Sequence, residues 1–136
     1  MTTKTLYLLR HAHTTKGDAI TPDHERELSS GGIEECESIA KWLKNNLVSL
    51  DYVTASDAMR TRQTYGAINA LYPLPTPVYA GNLYLAPGNL MLKTLQNAPK
   101  PASCVLLIGH NPGLHELALR LLHDEAREQG PLDDGL

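Results

Sequence analysis

Arg10 and His11 stand directly after an apolar run, Leu6-Tyr7-Leu8-Leu9. Two further runs end in the same manner. Leu50 to Ser56 empties onto Ser56, with Arg60 at the start of the next helical pattern, and Ser103 to His110 closes on Gly109-His110-Asn111. Two guanidiniums and two imidazoles at three strand ends suit one kind of guest, an anion with several oxygens. Arginine forks match phosphate oxygens in pairs, and a helix start near Ser56 or Asn111 adds backbone N–H donors. An imidazole in such a pocket can do more than bind. When neutral it is a nucleophile toward phosphorus and can form a covalent phosphoenzyme. Neighbouring cations favour its neutral form, hold the phosphoryl oxygens and match their charge in the transition state. The other imidazole can donate a hydrogen bond to an equatorial oxygen.

These groups meet only if the strands are neighbours in an open parallel sheet, where ligands bind at the carboxyl ends. The chain carries the pattern for that. Leu6 to Leu9 reads as a short strand buried on both faces. Residues 14–29 are polar and include Gly17 and Pro22, a loop. Ser29 or Ser30 caps a helix in which Ile33, Cys36, Ala40, Leu43 and Leu47 recur at helical spacing, with Trp42 beside them. After the second strand, Thr61, Tyr65, Ile68 and Tyr72 share one helical face. "PLPTPVY" is a rigid extended connector with an edge strand at Val78-Tyr79. Leu90 to Leu95 is a short helix. Pro112 opens the last helix as a first-turn proline, and Leu114, Leu117, Ala118, Leu121 and Leu122 form its apolar face. This alternation predicts an α/β three-layer sandwich around a mainly parallel central sheet. From Asp124 the periodicity is lost, so the expected domain is 1–123 and the expected flexible tail 124–136.

The totals agree with one folded domain: 136 residues, 42% apolar and 20% charged. A net charge of −3 without a basic block argues against a nucleic-acid binder. No run of about 18 apolar residues occurs, so no membrane span is expected. The N-terminus lacks the pattern of a signal peptide, and the expected location is cytoplasmic. Cys36 and Cys104 lie far apart, one in a helix pattern and one in a strand pattern, and read as buried free thiols. His11 and His13 form an H-x-H pair with no carboxylate or Cys nearby, a poor metal site. No metal and no cofactor is expected.

The same residues carry a resemblance. "LLRHAHT" resembles the RHG/RHA signature of the histidine phosphatase superfamily, and "SDAMRTRQT" its S-x-x-x-R-x-x-Q-T segment. "HERELSSGG" is similar to the R-x-L-[ST]-x-x-G stretch that opens the first helix, "LLIGHNPGL" to the second-histidine motif, and "LYLAP" fits its place before it. The matches come in family order from Thr5 to Leu122, and the short middle is most like the SixA-type phosphohistidine phosphatases. The resemblance implies a phosphoglycerate-mutase-like fold, with His11 as the nucleophile and Arg10, Arg60 and His110 holding the phosphoryl group. It favours Arg60 over Arg62 for that place. Members of the family continue past the last helix with a further strand. A chain ending in "GPLDDGL" is therefore expected to leave a sheet edge or apolar surface uncovered.

No Asp or Glu occurs from Ala58 to His115. Branches of the superfamily that act on sugar or alcohol phosphates place an acidic proton donor in that region. An alkoxide leaving group needs that proton, worth ~10²–10⁴-fold, whereas the P–N bond of phosphohistidine is labile without it. The expected reaction is hydrolysis of protein phosphohistidine through a phosphohistidine intermediate on the enzyme, the partner being a phosphorylated protein such as a histidine phosphotransfer domain. Two rivals stand beside it. One is a small-metabolite phosphomonoesterase, with Asp18, Asp23, Glu25 or Glu27 of the first loop as donor. The other is a non-catalytic phosphate-binding module. Arg26 either reaches the pocket mouth as a substrate ligand or braces the loop. Asn111 is a candidate substrate ligand, although it and Ser56 also suit loop orientation. His13 sits at the rim or in solvent, and His24, His115 and His123 read as surface residues.

Overall fold

The structure, a computed structural model, describes residues 4–128, without the side chains of 125–128. Strands β1 (Thr5–Arg10), β2 (Tyr52–Ser56), β3 (Pro77–Ala80) and β4 (Cys104–Gly109) alternate with helices α1 (Ser30–Asn45), α2 (Met59–Leu71), α3 (Gly88–Gln96) and α4 (Gly113–Glu128). Single 3₁₀ turns lie at Asp23–Glu25 and Gly81–Leu83. The sheet order is β1-β4-β2-β3 and every pairing is parallel. The last of these strands thus inserts between the first two. Arg10 pairs with Gly109 and Ala55 with Ile108, so β1, β4 and β2 end side by side.

Side chains alternate across the sheet as the pleat requires. Tyr7 and Leu9 pack toward Cys36, Ala40 and Leu43 of α1 and Ile68 of α2. Leu8 and Leu107 pack toward Met91 of α3 and Leu114 and Leu117 of α4. Val53, Ala55, Leu106 and Ile108 join Tyr65 on the α1/α2 side. Helices thus cover both faces, the three-layer arrangement that strand–helix alternation implies. Fully buried side chains such as Ile68, Leu107 and Leu117 each contribute about 1.5–3 kcal/mol of burial.

Several local expectations are corrected. β1 is not buried on both faces; it is an edge strand with half-buried residues, and its outer edge is unpaired among the described residues. Apolar cavities flank it on either face, one of about 580 Å³ beside Leu6, Leu92 and Leu95 and one of about 210 Å³ beside Tyr7, Leu9 and Trp42. Leu47 leaves the apolar stripe because α1 stops at Asn45; it turns left-handed with φ 52° and is 86% exposed, while Val48 is buried in its stead. Pro112 precedes α4, joined to Asn111 by a cis peptide, and is not its first helical residue. Leu122 is exposed. α4 runs on through Asp124 to Glu128; the rest of the expected tail lies outside the described residues. Both thiols are free, Cys36 buried and Cys104 half-buried. No helix of the described residues is long and apolar enough to cross a membrane.

One contact fixes the segment after β1. Ser29 caps α1, its Oγ accepting from Gly32 N–H at 3.0 Å. Ser29 N–H donates to the His13 carbonyl at 2.9 Å, and His13 N–H donates to Glu35 Oε1 at 2.7 Å. The start of α1 therefore lies against His13, so closely that a Cβ on Gly32 would meet the His13 oxygen at 2.1 Å. Gly66, inside α2, has open space around it. Gly32→Ala is expected to destabilise the fold by about 1–3 kcal/mol through overpacking. Gly66→Ala is expected to be neutral or stabilising by up to about 1 kcal/mol. Urea denaturation of the two variants checks the pair, and equal midpoints would contradict the close approach.

Candidate active site

His11 is the first residue beyond β1, and its N–H donates to Gly109 O at 3.1 Å, one step past the strand register. Its ring Nδ1 lies 2.8 Å from the Ala12 carbonyl. A carbonyl only accepts, so Nδ1 carries the proton and Nε2 keeps its lone pair. Ala12 N–H in turn donates to Thr64 Oγ1 at 3.1 Å, and that hydroxyl donates to the Arg60 carbonyl at 2.7 Å. The residue after the nucleophile candidate is thus tied to α2.

His110 follows β4, and the two imidazole rings stand 5.3 Å apart, tilted by 56°. Ser56, at the end of β2, bonds through Oγ to His110 Nε2 at 2.8 Å while accepting Ala58 N–H at 3.2 Å. His110 Nδ1 is buried and has no partner. Arg60, in the first turn of α2, is only 2% exposed. Its Nη1 donates to Asp23 O at 2.7 Å and its Nη2 to Asp23 Oδ2 at 3.0 Å, whereas Nε is buried without a partner. Arg62 turns away, its Nε donating to Asp57 O at 2.8 Å and its guanidinium lying 4.2 Å from the Tyr79 ring centre. Of the two arginines, Arg60 is the buried one and Arg62 is exposed.

Arg10 is exposed and, with His11, His13, Thr14, Arg26 and Glu35, lines an open cavity of about 670 Å³. Arg26 also braces the loop. It donates to the Thr14 hydroxyl, to Thr15 O at 3.1 Å and to Asp23 Oδ1 at 3.2 Å. Asn111 is exposed and its Oδ1 accepts His115 N–H at 3.2 Å, a cap on α4, so loop orientation is the role its contacts describe. His13 is an exposed rim residue whose Nδ1 bonds Ser29 Oγ at 2.7 Å. His115 and His123 are exposed. His24 is corrected from the surface to the rim: its Nε2 bonds Asp57 Oδ1 at 2.7 Å and its ring meets Tyr84 edge-on at 4.8 Å.

Tyr84 was not among the residues singled out from the sequence. Its ring packs edge-on against His110 at 5.6 Å, the Arg60 guanidinium lies 5.7 Å from its centre, and its hydroxyl donates to Asp23 Oδ2 at 2.5 Å. Its only signal was the position of "LYLAP" in the motif order. Among the described residues no three His, Cys, Asp or Glu side chains gather as metal ligands.

Electrostatics follow from this geometry. Burial holds His11 below the usual imidazole value; the Ala12 bond opposes it, and the charges of Arg60, Arg10 and Arg26 add to it. Burial, then Arg60 and His11, push His110 down to about 4. Both rings are therefore neutral at pH 7. Asp23 is drawn to about 2, first by the Tyr84 hydroxyl and then by Arg60 and Arg26, against its desolvation. Asp18 is lowered by the N–H groups of Thr21 and Ile20. These two loop carboxylates are anions at neutral pH and hold no proton to give. The ring states can be read without activity: in ¹⁵N NMR His11 is expected as the Nδ1–H tautomer at pH 7, and His110 is expected not to titrate between pH 8 and 5.5. A His110 midpoint near 6.5 would contradict its burial beside Arg60.

The profile of the histidine phosphatase superfamily (branch 1) matches residues 6–80. An uncharacterized protein of Mycobacterium tuberculosis (strain H37Rv) is 33% identical over 113 residues, which are 83% of this chain and 69% of that protein. The solved SixA of Nakamurella multipartitia superposes with a TM-score of 0.84 at 31% identity, covering 93% of this chain and 70% of that one. A protein histidine phosphatase SixA complexed with tungstate superposes at 0.78 with 26% identity, over 85% of this chain and 75% of that one. A phosphoglycerate mutase of Plasmodium falciparum shares the fold at a TM-score of 0.65 and 21% identity, over 97% of this chain and 73% of that one. Two imidazoles and the buried Arg60 gathered at the ends of three parallel strands agree with these likenesses: the chain belongs to the histidine phosphatase superfamily, branch 1.

Proposed function

We propose that this protein hydrolyses phosphohistidine on a protein through a phosphohistidine intermediate on His11, without a metal. The carrying observation is the His11 ring, with Nδ1–H committed to the Ala12 carbonyl and Nε2 free among Arg10, Arg26, Arg60 and His110. In the first step Nε2 attacks phosphorus in line, a P–N bond to His11 forms and the P–N bond to the substrate imidazole breaks. The departing imidazole takes its proton from solvent or leaves with the one it carries. In the second step water attacks phosphorus, the His11 P–N bond breaks, and phosphate departs with the proton of the water passing to solvent.

Arg10, the Arg60 Nε–H and the His110 Nδ1 face the developing charge, the work that metals do elsewhere. The bound tungstate of the SixA relative, a tetrahedral oxyanion, supports a pocket of this kind. Two observations favour phosphohistidine over alkyl phosphates. The sequence has no carboxylate from Ala58 to His115, and in the first loop Asp18 and Asp23 are held ionised. With no carboxylate in that segment and these two aspartates ionised, a leaving group that is good in its own right is favoured; the leaving-group series on Glu25→Gln and Glu27→Gln checks the remaining loop acids. The open cavity beside His11 also suits a side chain presented by a protein.

Incubation with radiolabelled phosphohistidine peptide and a series of phosphate esters, with EDTA present, tests this. Label is expected on wild type, lost in acid and retained in alkali, and absent from His11→Ala together with turnover. Phosphohistidine and activated aryl phosphates should turn over, while alkyl and sugar phosphates lag by ~10²–10⁴-fold. A rapid sugar phosphate reaction would transfer the reading to a metabolite phosphatase, and vanadate binding with neither label nor turnover to a non-catalytic binding module. Arg60→Ala should weaken vanadate binding by roughly 10–100-fold, as loss of a charged hydrogen bond does, and Arg62→Ala by far less. Because the reacting His11 must be neutral and its proton affinity is lowered, kcat/KM should fall with acidification only below the ordinary imidazole midpoint of about 6.5.

A further inference from the structure

Arg60 is buried, and a buried guanidinium must be neutralised and hydrogen-bonded. One residue supplies both. Asp23 accepts Nη1 through its main-chain oxygen at 2.7 Å and Nη2 through its carboxylate at 3.0 Å. Taking the end of the guanidinium leaves Nε as the guanidinium nitrogen with no partner. The same carboxylate oxygen accepts the Tyr84 hydroxyl at 2.5 Å. Tyr84 in turn packs its ring against His110, whose Nδ1 is the other unpartnered buried side-chain nitrogen among the described residues. Asp23 belongs to the first loop, Arg60 to α2, and Tyr84 to the segment after β3. A single carboxylate therefore ties three separate parts of the chain around two free nitrogens. Arg26, bonded to the other oxygen of Asp23 at 3.2 Å, anchors it to residues 14 and 15.

We propose that Asp23 is a positioning residue of the phosphoryl site, holding Arg60 and Tyr84 so that Arg60 Nε–H and His110 Nδ1 stay directed at the bound phosphoryl group. It touches no reacting atom and transfers no proton. This rests on the phosphatase reading above, and the two are separable by experiment. A positioning role slows every substrate by the same factor, because it weakens the grip on the phosphoryl oxygens. A proton donor would matter more as the leaving group becomes poorer.

Tungstate affinity by calorimetry and turnover of aryl phosphates of graded leaving-group pKa, on full-length protein, make the test. Asp23→Ala is expected to weaken tungstate about tenfold or more and to slow all aryl phosphates by one common factor. Asp23→Asn, which keeps an accepting oxygen but not the charge, and Tyr84→Phe should show smaller, parallel losses. Asp18→Asn, at an exposed turn, should match wild type. The Asp23 side chain is 49% exposed, and circular dichroism checks that each variant is folded. If Asp23→Ala does not fold, Asp23→Asn and Tyr84→Phe carry the same test. Unchanged tungstate affinity in folded variants would overturn the positioning role alone, as would a loss of turnover that grows with leaving-group pKa. Absence of tungstate binding by wild type would overturn the phosphatase reading and this role with it.

Discussion

The pairing of β1 with β4 is the constraint from which the rest follows. The Arg10–Gly109 register puts His11 and His110 one residue past adjacent strand ends, with rings 5.3 Å apart. A slip of one residue would turn each side chain to the opposite face of the sheet and part the two rings. The insertion of β4 between β1 and β2 also brings Ser56 beside His110. The pocket thus exists only when the last strand has docked between the first two, a contact of large sequence separation whose loop-closure cost precedes its reward.

Within that frame, burial of charge organises the chemistry. The chain is acidic overall, at −3, yet its strand ends gather guanidiniums. Arg60, removed from water, would act more strongly on a bound anion than a surface arginine. Burial first, and these charges after it, keep both imidazoles neutral, as the depressed His110 value of about 4 reflects. On the proposed reading, the cations that would grip a phosphoryl group thus add to the burial that keeps the attacking ring neutral. The Asp23 carboxylate stands against Arg60, and its contacts are spent on Arg60, Tyr84 and Arg26.

The sequence made legible whatever is local and periodic. The four strands, the α2 face of Thr61, Tyr65 and Ile68, and the strand-end positions of His11, Ser56 and His110 all follow from short-range pattern, because apolar runs and helical spacing report burial directly. Misreadings arose where a neighbour distant in sequence decides. β1 looks like an interior strand, but sheet order is not written in a single strand's composition. Leu47 has the right spacing for α1, but the helix ends two residues earlier. His24 and Tyr84 carry no periodic signal, and they join the site only because Asp57 and Asp23 meet them across the fold. Arg60 and Arg62 both lie in the first turn of α2; the R-x-x-Q-T spacing already favours Arg60, and its burial agrees with that.

The partner that orients the nucleophile candidate is the main-chain carbonyl of the very next residue, 2.8 Å from Nδ1. No side-chain replacement removes a carbonyl. The alignment of His11 is therefore insulated from point mutation in a way that the Ser56 and Asp23 contacts are not. Side-chain changes on the loop and on α2 would alter the contacts around the pocket, while the ring orientation of His11 would remain a property of the backbone.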